Sequence, residues 1–185
     1  MTPHRFTRWC AVVMILIPAV SLGQAEARVR TVPRVDLQRY AGDWFEIARF
    51  PNRFQRRCTG NVRASYALRP DGRIDVVNRC LTADGSIDAK GVARIVDERT
   101  QAQLKVRFAP AWLSWVPAVW GDYWVIGLAP DYSWAVVGDP GREYLWILSR
   151  TPQLGADALA AARAAARDNG FTIDRLQATP QTGPS

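Results

Sequence analysis

The sequence predicts an all-β fold: an eight-stranded antiparallel up-and-down β-barrel with one C-terminal α-helix packed on its outside. Three observations predict it. Eight short segments of strand-like composition follow one another at hairpin spacing, punctuated by turn residues such as Pro70-Asp71-Gly72, Asp84-Gly85, Pro130-Asp131 and Asp139-Pro140-Gly141. Within them apolar residues alternate with polar ones, the period-two pattern of a wall with one apolar face. A single alanine-rich segment with helical periodicity follows the last strand.

In chain order, Arg5 and Arg8 precede an apolar run from Ala11 to Val20, and Ala25-Glu26-Ala27 supplies an A-x-A cleavage signal. That order predicts a secretory signal peptide over residues 1–27, cut after Ala27. The run is short of the roughly 20 residues that a membrane span needs. Cys10 sits at the start of the run, whereas a lipid-modified cysteine belongs at its far end. The expected location is therefore the periplasm of a Gram-negative bacterium, associated with the outer membrane if at all by contact and not as a lipobox lipoprotein. Residues 28–34 read as a flexible leader, 35–178 as one domain and 179–185 as a disordered tail. The predicted strands are 43–50, 59–68, 74–81, 87–96, 103–108, 123–128, 134–138 and 144–149. The helix is expected over 157–169, with Leu159, Ala162 and Ala166 on one face and Gly170 as its stop. Residues 171–178 are expected to add a short edge strand.

The chain carries a formal charge of +7, and the signal removes two arginines and one glutamate, so the remainder stays basic. Its arginines are scattered, which reads as a solvated surface and leaves contact with anionic lipid open. The only histidine, His4, lies in the signal. The processed chain thus lacks the usual general base and metal ligand, and no nucleophile elbow, P-loop or dinucleotide fingerprint occurs. No cofactor, no metal and no catalytic residue is expected. Cys58 and Cys80 are the two cysteines left, at matching levels of the hairpin formed by the second and third strands. In an oxidising compartment such a pair favours a disulfide. Two buried free thiols are the alternative, and a two-cysteine metal site is the weakest reading.

One segment, Leu37 to Phe50, carries Gly42-Asp43-Trp44 at the entry to the first strand. Asp131-Tyr132 occupies the turn between the sixth and seventh strands, and Ser149-Arg150 ends the eighth, just before the helix. In this order the three regions resemble the signatures of the lipocalin family. The phrases Trp44-Phe45-Glu46-Ile47-Ala48-Arg49-Phe50 and Tyr144-Leu145-Trp146-Ile147-Leu148-Ser149-Arg150-Thr151-Pro152 are similar to its bacterial lipocalin (Blc) and apolipoprotein D branch. The second region departs from the family's usual Thr-Asp-x-x-Tyr, reading Ala129-Pro130-Asp131-Tyr132. The resemblance implies structural roles for Gly42, Trp44, Asp131, Tyr132 and Arg150. Trp44 is expected to plug the closed end, with the Arg150 guanidinium laid on its indole, a contact of about 2 kcal/mol when desolvated.

It also implies non-covalent binding, storage or transport of a hydrophobic ligand, a fatty acid or lysophospholipid, in envelope lipid maintenance. Burial of the acyl chain would contribute about 0.8 kcal/mol per CH₂. The inward parity nominates Val62, Ala64, Tyr66, Val76 and Asn78 from the second and third strands. From the fourth and fifth it nominates Ala93, Leu104, Val106 and Phe108. Tyr123, Val125, Val137, Tyr144 and Trp146 complete the set, and Glu46 shares the parity of Trp44. Small residues at Ala48, Ala64, Gly91, Ala93 and Ala135, all expected to face inward, leave room for a ligand, although a solid core with uneven packing fits the same alternation. Glu46 is expected to satisfy a neighbouring Tyr or Arg. The rival reading, a lipid-modifying enzyme using Glu46 as acid/base, lacks a histidine or nucleophile motif to support it. A nucleic-acid-binding barrel is opposed by the export signal and by eight strands. Finally, residues 108–124 form a long apolar loop holding half of the eight tryptophans. Two readings stand for it: contact with a membrane surface or a second copy through Trp112, Trp115 and Trp120, or folding back onto the barrel wall.

Overall fold

A computed structural model describes residues 28–182; the expected signal peptide lies outside the described residues. The strands are β1 (Gly42–Arg49), β2 (Gly60–Leu68), β3 (Ile74–Thr82), β4 (Gly85–Ile95), β5 (Gln103–Arg107), β6 (Gly121–Leu128), β7 (Trp134–Gly138) and β8 (Leu145–Ser149). Each pairs antiparallel with the next, and β1 pairs with both β2 and β8, which closes the barrel. The expected eight-stranded architecture is the one observed, with boundaries moved by one or two residues at most strands; Phe108 and Tyr144 fall just outside β5 and β8.

Alternation sorts the side chains into two cores. Val35, Tyr40, Trp44, Val125, Val137 and Leu148 fill the closed end of the lumen, joined above by Ile74, Val76, Ala93 and Leu104. The opposite faces of β6, β7 and β8 bury Ile126, Val136, Leu145 and Ile147 under the helix α2 (Ala156–Asp168). Ala162 and Ala166 of α2 are fully buried there. The helix sits so close to the wall that a Cβ at Gly127 would come within 2.8 Å of the Ala165 Cβ.

Three β-bulges break the parity. They lie between Glu46 and Ala48, between Gly60 and Arg63, and between Val125 and Gly127. An extra residue swaps the faces of everything beyond it. Ala48, expected inside, therefore joins Phe50 in the core beneath the helix.

Two further elements differ from expectation. A single turn, α1 (Leu37–Tyr40), crosses the closed end, capped by the Asp36 carboxylate on the Gln38 and Arg39 amides. The expected edge strand over 171–178 shrinks to β9 (Gln177–Ala178), which pairs with β1 at Ala48 and Arg49. Residues 179–182, expected as disordered tail, continue from β9 into the gap where β2 leaves β1. Thr179 N donates to Ile47 O at 2.9 Å and Asn61 N to Pro180 O at 2.8 Å. The Gln181 amide donates to both Glu46 O (2.8 Å) and Val62 O (3.0 Å), and Thr182 N to Asn61 Oδ1 (2.6 Å). The backbone groups orphaned by the separating strands are thus paired by the tail.

Candidate ligand-binding site

The closed end is sealed by the residues of the three signatures. Gly42 enters β1 at φ +90°, a conformation that favours glycine. Trp44 is fully buried and donates its indole N–H to Tyr40 O at 2.8 Å. The Arg150 guanidinium lies 3.9 Å from the Trp44 ring centroid and donates to Arg39 O, Tyr40 O and Asp43 O. Tyr132 accepts the Asp36 amide at 2.9 Å, while Arg39 stacks 4.0 Å over its ring. Asp131 accepts from the Ser133 amide and hydroxyl, which hold its carboxyl below the usual carboxylate range.

Above this floor the lumen narrows to an apolar cavity. Tyr66, Ala93, Leu104, Val106, Tyr123 and Val125, all foreseen as ligand contacts, line it together. Val35, Leu37, Tyr40 and Ala41, from α1 and the residues beside it, complete its wall with Leu68 and Ile74 from the ends of β2 and β3; the first four were not foreseen because α1 folds inward beneath the strands. The cavity's polar feature is a row of hydroxyls: Tyr40 to Tyr123 at 2.8 Å, and Tyr123 to Tyr66 at 2.9 Å. Burial pushes the Tyr66 phenol up to about 12 and raises Tyr40 and Tyr123 as well, so all three remain protonated donors at neutral pH.

Outside this cavity the foreseen residues spread apart. Val76 and Val137 are packed into the cores, and Val62 and Ala64 lie along β2 with Val62 buried. Asn78 presents a buried Oδ1 without a hydrogen-bond partner. The Phe108 ring leans on Gly91, where a Cβ would meet it at 2.7 Å. Tyr144 and Trp146 stack at 5.9 Å, and Phe54 extends the row, 5.6 Å from Tyr144. On β4 the residues Ile87 and Ala89, which share the inward face with Gly91, are exposed, so the lumen is open at this end.

Glu46 is only 3% exposed and fully engaged. It pairs with Arg49 at 2.7 Å and accepts from Gln55 Nε2 (2.6 Å) and Thr179 Oγ1 (2.5 Å). Gln55 in turn accepts from the Trp146 indole at 3.0 Å and from Asn52 at 2.7 Å. A buried carboxylate held by one cation and two neutral donors is compensated in place. Gln55 was missed because it lies in the loop between β1 and β2. Cys58 and Cys80 form a disulfide, Cα atoms 5.6 Å apart, that ties this loop to β3.

The tryptophan-rich loop joins β5 to β6 at the open end, as the loop between β1 and β2 does, because strands alternate in direction. It divides the two readings between its residues. Trp120 is folded onto the wall, between Arg94 (4.5 Å) and Arg107 (5.2 Å), its N–H donated to Ser114 O. Trp112 and Trp115 project outward, 72% and 78% exposed. Among the described residues no three His, Cys, Asp or Glu side chains gather to hold a metal ion.

The profile of the lipocalin-like domain matches residues 35–181. Temperature-induced lipocalin-1 of Arabidopsis thaliana is 40% identical over 156 residues, 83% of each chain. Outer membrane lipoprotein Blc of Escherichia coli K12 is 35% identical over 175 residues, 94% of each. Mouse apolipoprotein D is 31% identical over 156 residues, 79% of this chain and 77% of that one. Among solved structures, insecticyanin from the tobacco hornworm Manduca sexta superposes with a TM-score of 0.64 at 16% identity, covering 83% and 85% of the two chains. Apocrustacyanin C1 gives 0.63 at 17% identity over 80% and 81%. Those two share the fold. With the profile spanning the whole barrel and the signature residues packed at its closed end, the chain belongs to the lipocalin family, whose members bind and carry small hydrophobic molecules.

Proposed function

We propose that this protein binds a single-chain amphipathic lipid, a fatty acid or lysophospholipid, with the acyl chain in the lumen and the head at the mouth, and that it handles such lipids in the cell envelope without chemically altering them. The observation that carries this reading is a barrel closed at one end and open at the other, with an apolar cavity above its floor. Charge supports the orientation. Arg53, Arg56 and Arg57 are exposed on the mouth loop between β1 and β2, while the floor cavity is lined by no cation. The engagement of Glu46 by Arg49, Gln55 and Thr179 favours a structural role for it over general acid/base work.

We further propose that the mouth meets the membrane from which such a lipid is drawn. Trp112, Trp115 and Phe54, the last 65% exposed, share this end with the three arginines. Exposed tryptophan favours the lipid–water interface, and arginine favours anionic headgroups. The export signal and the position of Cys10 support an unanchored periplasmic protein, whereas the Blc relatives are named as outer membrane lipoproteins.

Native mass spectrometry of protein taken from the periplasm, together with displacement of a fluorescent fatty acid, tests the ligand. A bound lipid released on denaturation, and displacement by palmitate or lysophospholipid, is the expected result. Protein that carries no lipid and binds none would end this reading.

A further inference from the structure

The row of three tyrosine hydroxyls has a proton left over. Three phenolic O–H groups offer three donors, and the two bonds of the row consume two of them. No other hydrogen bond reaches these hydroxyls among the described residues. Whichever way the row is ordered, one O–H has no acceptor, inside a cavity otherwise lined by apolar side chains. A donor that no protein group accepts, set in an apolar cavity, favours a ligand that brings an acceptor to it.

Resting on the lipid-binding reading above, we propose that the floor of the barrel is a polar subsite, built from Tyr40, Tyr66 and Tyr123, that selects a ligand whose buried end carries a neutral oxygen acceptor, a carbonyl placed at or next to the end of the chain. An ionised group does not suit the site. The Arg150 charge is felt at Tyr40, but the guanidinium lies behind Trp44 with its donors committed to the carbonyls of Arg39, Tyr40 and Asp43, so it offers no hydrogen bond to an anion at the floor. The charge of Glu46 is felt at Tyr66 and opposes a second anion.

Three ligands of equal length separate the possibilities: palmitate, its keto analogue with the carbonyl next to the terminal methyl, and the dicarboxylate with an acid at both ends. Each is measured at pH 8 by displacement of a fluorescent fatty acid. The expected order is keto acid tighter than palmitate by about five- to tenfold, and dicarboxylate weaker than palmitate by about tenfold or more. In the triple variant Tyr40→Phe, Tyr66→Phe and Tyr123→Phe, which removes every hydroxyl of the row, the ratio of keto acid to palmitate affinity should fall to about one, whereas Tyr66→Phe alone, which leaves two donors and one bond, should keep the preference. Because the ratio is taken within each protein, a general loss of affinity in a variant cancels. Palmitate binding with no preference for the keto acid in the unaltered protein would overturn the subsite and leave the lipid reading standing, the spare O–H then being met by water alone. A dicarboxylate that binds as well as the keto acid would overturn the requirement for a neutral end. Failure of all three to bind would remove the lipid reading and the subsite with it.

Discussion

Arg150 shows how much one side chain can hold. Its guanidinium covers the Trp44 indole and takes up three carbonyls of α1 and the start of β1, so it fastens the floor to the end of β8. Arg150→Ala should cost about 2 kcal/mol, combining a partly exposed cation–π contact with charge-assisted hydrogen bonds. Chemical denaturation should register this as a lower midpoint with an unchanged slope. Arg150→Lys should recover little of it, because a point charge cannot serve a ring face and several carbonyls at once. The buried tyrosines make a second residue-scale prediction, about pH. Their folded pKa values are raised above the ordinary phenol value of 10.0 by burial. Above about pH 10 the unfolded chain loses those protons while the folded one keeps them, so stability falls as pH rises. Three of the five tyrosines should therefore resist phenolate formation, followed by ultraviolet absorbance, until the barrel opens. The stacking of Arg150 on Trp44 was expected from the resemblance of the motifs. The hydroxyl row was not, since Tyr40, Tyr66 and Tyr123 sit on three separate elements and nothing local couples them.

Among the elements, the strands were legible and the seams were not. Period-two alternation marks each wall segment directly, and turn residues mark its ends. A bulge adds one residue without any composition of its own, so the reversal of Ala48 could not be read from β1 alone. The same holds for the tail. Its bonds to Asn61, Val62 and Glu46 span more than a hundred positions of sequence, and a short polar terminus reads as disordered when those partners are unseen. Deleting residues 179–185 should destabilise the protein by about 2 kcal/mol, since it reopens buried carbonyls and removes one donor from the Glu46 carboxylate. A shift in the urea midpoint measures it, and an unchanged midpoint would mean the tail is dispensable. The disulfide acts on the neighbouring seam. Cys58→Ser with Cys80→Ser should cost about 3 kcal/mol for a loop closed over a separation of 22 residues.

For the whole molecule, the two ends of the barrel have opposite characters. One is plugged by aromatic stacking and committed hydrogen bonds; the other carries the open lumen, the arginines and the projecting tryptophans. The proposed membrane contact belongs to this scale. Trp112→Ser with Trp115→Ser should weaken binding to vesicles containing anionic lipid by about tenfold or more, two interfacial aromatic rings being removed. The displacement of fluorescent fatty acid should change little, because neither ring lines the floor cavity. Sedimentation with vesicles, with and without added salt, reads the outcome. Equal sedimentation of both proteins would count against this end as the docking face.

The seam of β1 also has a consequence for biosynthesis. β1 appears early on the ribosome, yet one of its edges waits for β8 and, at the mouth, the other waits for β9 and the residues after it. Until those emerge, no ring exists, and the growing chain offers unpaired strand edges that invite association with other chains. Folding of this barrel is therefore an event that follows synthesis of nearly the entire domain, which keeps the nascent chain threadable. A bulky fusion placed directly after Thr182 would sit at the last joint to close, whereas one placed ahead of residue 28 would leave that joint free.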